Sequence, residues 1–250
     1  HLRGLFSKSM PMAKSTETPQ NSPVIFGFRR SCALLIFEYT WKKDRCLYAD
    51  RRRGRTVMKT GLVLEGGAMR GIFSAGVLDY MLKKDIYYDY VIGVSAGAGN
   101  AVNYVSRQEG RTKKIITHEN AESYYGVGQL FENKKILNLE MLVAEYALKD
   151  IPYDFDTFFA SKTECESVVV NCETGKAEYK GNFKTKDEFL KSQMASCSVP
   201  FICEPVEIDG YHYLDGSIID SIPVERAVEK GCDKIVVVLT KPEGLSLIHI

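Results

Sequence analysis

The stretch Gly93-Val94-Ser95-Ala96-Gly97 decides how this chain reads. Tyr88-Asp89-Tyr90-Val91-Ile92 precedes it, an aromatic and β-branched segment suited to a buried strand, and Ala98-Gly99-Asn100-Ala101-Val102 follows as small residues opening a helix. A G-x-S-x-G turn between strand and helix is the context of a nucleophile elbow. Its glycines have a steric reason, because a side chain at Gly93 or Gly97 would collide with the neighbouring strand or helix. Ser95 is then presented above a helix N-terminus, where amides and the helix dipole favour negative charge. Taken alone, the pentapeptide is also compatible with a purely structural turn.

Outward from the elbow, the chain alternates in the α/β manner. Gly61-Leu62-Val63-Leu64 reads as a short apolar strand entering the glycine-rich loop Glu65-Gly66-Gly67-Ala68-Met69-Arg70-Gly71. Ile72, Val77, Leu78, Met81 and Leu82 then form an apolar stripe at helical spacing. Beyond Gly110 the pattern loosens through Tyr124-Tyr125-Gly126-Val127-Gly128. A second stripe, Leu137, Met141, Leu142, Tyr146 and Leu148, predicts a core helix or a lid over a pocket. Asp154 to Phe159 predicts a short helix. A hairpin is expected from Cys165 to Lys180 around Glu173-Thr174-Gly175, and a helix over Lys186 to Ser196, stopped before Pro200. Val206-Glu207-Ile208 and Tyr211-His212-Tyr213-Leu214 flank Asp209-Gly210, a strong hairpin signal. A helix over Pro223 to Lys230 and a strand over Lys234 to Thr240 follow. The pattern predicts an α/β fold with a mostly parallel central sheet flanked by helices.

Composition narrows the function classes. The chain of 250 residues has a net charge of +1, yet residues 1 to 57 hold 12 Lys+Arg against 4 Asp+Glu, leaving 21 and 28 for the rest. A body of that acidic sign carries no electrostatic footprint for nucleic acid, and none is expected as a partner. The seven cysteines form no C-x-x-C pair, which argues against a disulfide framework and a zinc site and points to free thiols in a reducing, cytoplasmic setting. No metal or cofactor is expected. Residues 1 to 57 show no sustained periodicity. Their apolar patches, Val24-Ile25-Phe26 and Cys32 to Phe37, are too short to span a membrane, and the reading is a disordered or non-native leader carrying the basic run Arg51-Arg52-Arg53. Residues 58 to 250 read as one domain truncated at its C-terminus, because a buried strand over Ile235 to Leu239 normally feeds further structure.

Acyl transfer from an ester needs a nucleophile, a base and donors for the oxyanion. Ser95 is the candidate nucleophile. The amides of Gly66, Gly67 and Ala68 are candidate oxyanion donors, with Arg70 bracing the loop, attracting an anionic head group, or merely solvated. Read as a degenerate G-x-G-x-x-G at positions 66, 68 and 71, with Asp85 or Asp89 downstream, the same loop is a poor match to a dinucleotide site, since Ala68 replaces the glycine that permits pyrophosphate approach. For the base, His118, His212 and Asp215 compete. Asp215 ends a strand immediately before Gly216, although an ordinary Asp-Gly turn has the same look.

The three motifs, Glu65 to Gly71, Gly93 to Gly97 and Asp215-Gly216-Ser217, resemble in this order the patatin-like phospholipase family. The resemblance covers Thr60 to Thr240. It extends to the small-residue and proline segment Ala195-Ser196-Cys197-Ser198-Val199-Pro200 and to Pro205 and Pro223. It implies a three-layer patatin-like fold and a Ser95-Asp215 dyad with an oxyanion loop at Gly66 to Ala68 and Arg70. The implied substrates are acyl esters of phospholipids or lysophospholipids, with peripheral membrane contact. A non-catalytic lipid-binding member of the fold is the alternative. Ala68, Ser217 and Cys203 depart from the residues usual in the family, the first two without removing backbone donors and the third with a consequence for the pocket.

Overall fold

The computed structural model describes residues 39–40, 49–50, 55–56, 58–118 and 139–241. The apolar patches and most of the basic run of the leader, the Tyr124 to Gly128 stretch, Leu137, the side chain of Met141 and the tail from Pro242 lie outside the described residues. Strand β1 (Thr60–Leu64) leads through the Gly66 to Arg70 loop into α1 (Gly71–Lys83). Strand β2 (Tyr90–Val94) turns at Ser95 into α2 (Ala96–Val105), which α3 (Arg111–Ile116) follows. Helix α4 (Glu140–Asp150) is wound with the wider π pitch, and α5 (Phe155–Ala160) is capped by Asp154, whose side chain accepts from the Thr157 amide at 2.9 Å. Strands β3 (Glu164–Asn171) and β4 (Ala177–Gly181) form the first hairpin, and α6 (Lys186–Ser196) starts on a Thr185 cap. Strands β5 (Val206–Ile208) and β6 (Tyr211–Asp215), helix α7 (Val224–Glu229) and strand β7 (Lys234–Val238) complete the body. Tyr39–Thr40 pairs antiparallel with β7, and Ala49–Asp50 pairs with Arg55–Thr56.

The sheet runs β7-β1-β2-β3-β6-β5, with β4 on the other edge of β3. Its central four strands, β7, β1, β2 and β3, are parallel as expected. Strands β4, β6 and β5 are antiparallel additions, so the sheet is mixed. The two hairpins enforce this, because a turn as tight as Asp209-Gly210, both at positive φ (53° and 80°), can only reverse the chain.

Strand side chains alternate between faces with period two, and both faces of the parallel strands are buried. Leu62, Leu64, Val91 and Val238 pack with α1, α2, α5 and α6. Val63, Tyr90, Ile92, Val94, Ile235 and Val237 pack on the opposite face with Ala227 of α7. This is the helix-sheet-helix layering implied by the resemblance. Helix α1 differs in one detail from the expected stripe. Its buried face is Gly71, Ser74, Ala75, Leu78 and Met81, while Ile72 is exposed. Small residues set the close α1 to α2 contact, and a stripe read from large apolar residues passes over them.

The face bearing α7 also holds an ion network. Glu166, almost fully buried, accepts from Arg226 Nε at 2.9 Å, Lys230 Nζ at 2.7 Å and the Tyr90 hydroxyl at 2.8 Å. Burial raises the Glu166 carboxyl, but these donors outweigh it and hold the group below the usual carboxylate range. Each carboxylate oxygen has a partner, which is the condition under which a buried charge is tolerated.

Candidate active site

The elbow is built as its glycines require. Ser95 sits at φ 56°, ψ −126°, a strained conformation for a residue with a side chain. A Cβ on Gly93 would lie 2.3 Å from the Gly97 carbonyl oxygen, and one on Gly97 would lie 2.4 Å from the Leu64 carbonyl oxygen. Two elements thus converge at separations only glycine permits. The Ser95 amide donates to Ser196 Oγ at 3.0 Å, and that hydroxyl donates to the Val168 carbonyl at 2.7 Å, so the last residue of α6 holds the elbow in place.

Strand register brings Asp215 to Ser95. On β3, Val168 is paired with Val94 of β2, and the next residue, Val169, is paired with Asp215 of β6. Because β4 overlaps both partners along β3, it must occupy the opposite edge, and β2 and β6 share one edge. They meet end to end there, one from each direction, about 3.3 Å apart along the strand, one residue's rise. The Ser95 side chain is near enough to the Asp215 carboxylate to act on its pKa. Gly216 continues the theme: a Cβ there would fall 2.6 Å from the Val168 backbone.

Asp215 is 1% exposed. Its amide donates to the Ser198 carbonyl at 2.8 Å, and its Oδ1 accepts from the Ser217 amide at 2.9 Å. Burial raises the carboxyl above its ordinary range, and the Ser217 amide with the nearby Ser95 side chain recovers only part of that shift. Ser217 therefore contributes a backbone donor, which its side chain does not disturb. The histidines are placed elsewhere. His212 faces outward and its Nδ1 lies 3.1 Å from Glu173, while His118 packs against the Tyr146 ring at 5.0 Å.

The Gly66 to Ala68 loop packs directly on the elbow, since a Cβ on Gly66 would sit 3.3 Å from that of Ser95. Ala68 holds a positive φ of 48° and Gly67 one of 157°. The Arg70 amide closes the loop on the Gly67 carbonyl at 3.0 Å, and the Arg70 side chain is exposed. The sequence reading missed the latch behind this loop. Glu65, 2% exposed, accepts from the Thr240 amide at 2.6 Å and pairs with Lys241 at 3.0 Å, while Thr240 Oγ1 donates to the Gly66 carbonyl at 2.7 Å. Only the adjacency of β1 and β7 brings these residues together. Glu65→Ala is expected to cost about 2 to 3 kcal/mol, the range for hydrogen bonds to a charged group, read as a lower urea midpoint at unchanged slope. Glu65→Gln should recover part of it.

Beside Ser95 opens a cavity of about 430 Å³, within the size range of small-molecule sites. Val102, Ile115, Ile116, Leu142, Val143, Phe189 and Leu190 line it, with Ala68 and Met69 at the loop and Cys197 and Val199 near Asp215. The second predicted stripe is thus used as a pocket wall through Leu142, with Tyr146 buried behind it and Leu148 exposed. Polar atoms on the wall come from Asn100, Asn103, Thr112, Arg111 and Gln193. Among the described residues, no three His, Cys, Asp or Glu side chains gather as a metal site would require, and no helix is long and apolar enough to cross a membrane.

The chain belongs to the patatin-like phospholipase family, whose profile matches residues 62–228. Among curated proteins, an uncharacterized protein of Escherichia coli K12, YjjU, is 32% identical over 192 residues, covering 75% of this chain and 53% of that protein. The chain thus spans about half the length of the relative it matches. Among solved structures, VipD from Legionella pneumophila aligns at 15% identity with a TM-score of 0.45, covering 78% of this chain and 51% of that one.

Proposed function

We propose that this chain is a serine acyl hydrolase that cleaves phospholipid or lysophospholipid esters through a Ser95-Asp215 dyad. The observation that carries the reading is the register at Val168 and Val169, which sets the strained elbow serine against a buried, hydrogen-bonded carboxylate. Asp215 takes the Ser95 hydroxyl proton as Oγ attacks the ester carbonyl carbon. The amides of Gly66 to Ala68 receive the developing oxyanion, and the loop needs no rearrangement because Glu65 and Thr240 already hold it. Collapse expels the alcohol, which regains the proton from Asp215. Water, deprotonated by the same carboxylate, then releases the fatty acid and restores Ser95. The apolar cavity accepts the acyl chain. Met69, Phe201, Ile202, Ile218 and Ile219, all exposed on the loops after β1, α6 and β6, are what a lipid surface would meet first, which supports peripheral membrane contact.

The test is hydrolysis of a p-nitrophenyl ester and of phospholipid and lysophospholipid vesicles by the full chain and by Ser95→Ala. Release of fatty acid by the wild type alone supports the proposal; lipid binding without turnover would favour the non-catalytic alternative. The acid limb of kcat/KM gives a second reading. Asp215 must be ionised to act as base and burial raises its pKa, so activity should fall as pH drops through a midpoint above the ordinary carboxylate range.

A further inference from the structure

We infer that the cavity takes an acyl chain ending in an oxygen acceptor, a carboxylate above all, and that Arg111 receives that end. The inference rests on the hydrolase reading above and adds a substrate class to it. Arg111 opens α3, is 7% exposed and lines the cavity wall. Its Nη1 donates to Asn103 Oδ1 at 3.2 Å and its Nη2 to the Ile151 carbonyl at 2.8 Å, and its guanidinium lies 5.2 Å from the centre of the Tyr153 ring. Its Nε, although buried, has no hydrogen-bond partner among the described residues. Among the described residues no carboxylate forms a salt bridge with it, in contrast to Arg226, whose guanidinium is held by Glu166.

A buried cation with neutral partners only is an expensive arrangement, and an arriving anion relieves it. The planar guanidinium matches a carboxylate with two parallel hydrogen bonds, a geometry a lysine does not reproduce. Burial lowers the Arg111 pKa to about 10, so the group remains charged at neutral pH.

Position selects the substrate's far end and not its reacting ester. Arg111 is held by Asn103, which lies on α2 about 12 Å along the helix from Ser95 at about 1.5 Å per residue. The cavity lining is mostly apolar, through residues such as Val102, Ile115, Val143 and Phe189, with Asn100, Thr112 and Gln193 as polar members. An extended chain covers about 1.2 Å per bond, so the ester carbonyl and the distal carboxylate would be separated by about ten bonds. An unsubstituted acyl chain of that length would place a methyl group against a buried charge.

The experiment compares, with the full chain, p-nitrophenyl esters of unbranched acids of about ten carbons with and without a terminal carboxylate. Shorter and longer carboxylated homologues are included, together with a lysophospholipid whose only anion is the head-group phosphate. Cleavage of the plain ester, lost in Ser95→Ala, tests the hydrolase reading by itself. The inference concerns the ratio of kcat/KM for the carboxylated ester to that for the plain one. Arg111→Met should lower this ratio by about tenfold to a hundredfold, the scale of a hydrogen bond to a charged group. Arg111→Lys should restore part of it. Equal loss on both esters, or an unchanged ratio, overturns the inference and leaves Arg111 as a brace between α2, α3 and α4. A loss confined to the lysophospholipid also overturns it, by assigning the cation to the head group. Should Arg111→Met fail to fold, the wild type decides through its length profile. A maximum in the ratio near the matched length supports the inference, and a carboxylate that slows cleavage at every length overturns it.

Discussion

Asp215→Asn is expected to lower hydrolysis of a short p-nitrophenyl ester at least a hundredfold, within the range of about 10² to 10⁴ that general-base catalysis contributes. His212→Ala and His118→Ala should stay near wild type, because one histidine is turned to Glu173 on the outer surface and the other lies on Tyr146. The asparagine keeps an oxygen for the Ser217 amide, so the loss is chemical and not architectural. Stability should move the other way. Burial raises the pKa of Asp215, so the fold favours its protonated form. That contribution is full below the pKa of the unfolded carboxyl and is lost as pH rises through the raised value. At neutral pH the ionised group therefore opposes folding, and Asp215→Asn should melt no lower than wild type. A histidine variant falling as far as Ser95→Ala would replace the dyad with a triad.

Gly97→Ala is expected to destabilise the protein by at least about 3 kcal/mol and to remove most activity. The new methyl group would stand 2.4 Å from the Leu64 carbonyl oxygen and 2.8 Å from that of Glu65, both backbone atoms of the strand that feeds the oxyanion loop. Relief requires β1 and α2 to part, and a displacement near 1 Å at a reacting centre costs about a hundredfold in rate. Gly93→Ala meets the Gly97 carbonyl at 2.3 Å and should behave alike. Gly76→Ala is the control. It lies in α1 with nothing within 4 Å of the added Cβ, and it should gain about 0.5 to 1 kcal/mol from helix propensity. Urea midpoints of the variants at equal slope give the comparison.

What was legible in the sequence was whatever a few neighbouring residues impose on the backbone. Gly93 and Gly97 flank a positive-φ serine, and Asp209-Gly210 closes a reversing turn. Motif order, through the family resemblance, implied that Ser95 and Asp215 share one site. The route by which they meet was not legible. Here β6 arrives antiparallel and abuts β2, and the contact depends on a register one residue apart on β3. Register is a tertiary property, and no local pattern encodes it. The Glu65 latch to Thr240 and Lys241 was hidden for the same reason. Arg111 gave no signal, because in sequence it is one more basic residue in the polar run Gln108-Glu109-Gly110-Arg111-Thr112-Lys113-Lys114. Only the packing of α3 against α2 and the Ile151 carbonyl buries it.

If Ser95 is a nucleophile activated by Asp215, a fluorophosphonate probe should phosphonylate it. One added phosphonate is expected on the wild-type chain, located on the peptide carrying Ser95. No adduct is expected on Ser95→Ala, and much slower labelling on folded Asp215→Asn. A folded wild-type protein that takes up no phosphonate, or takes it up on a residue other than Ser95, would contradict the account.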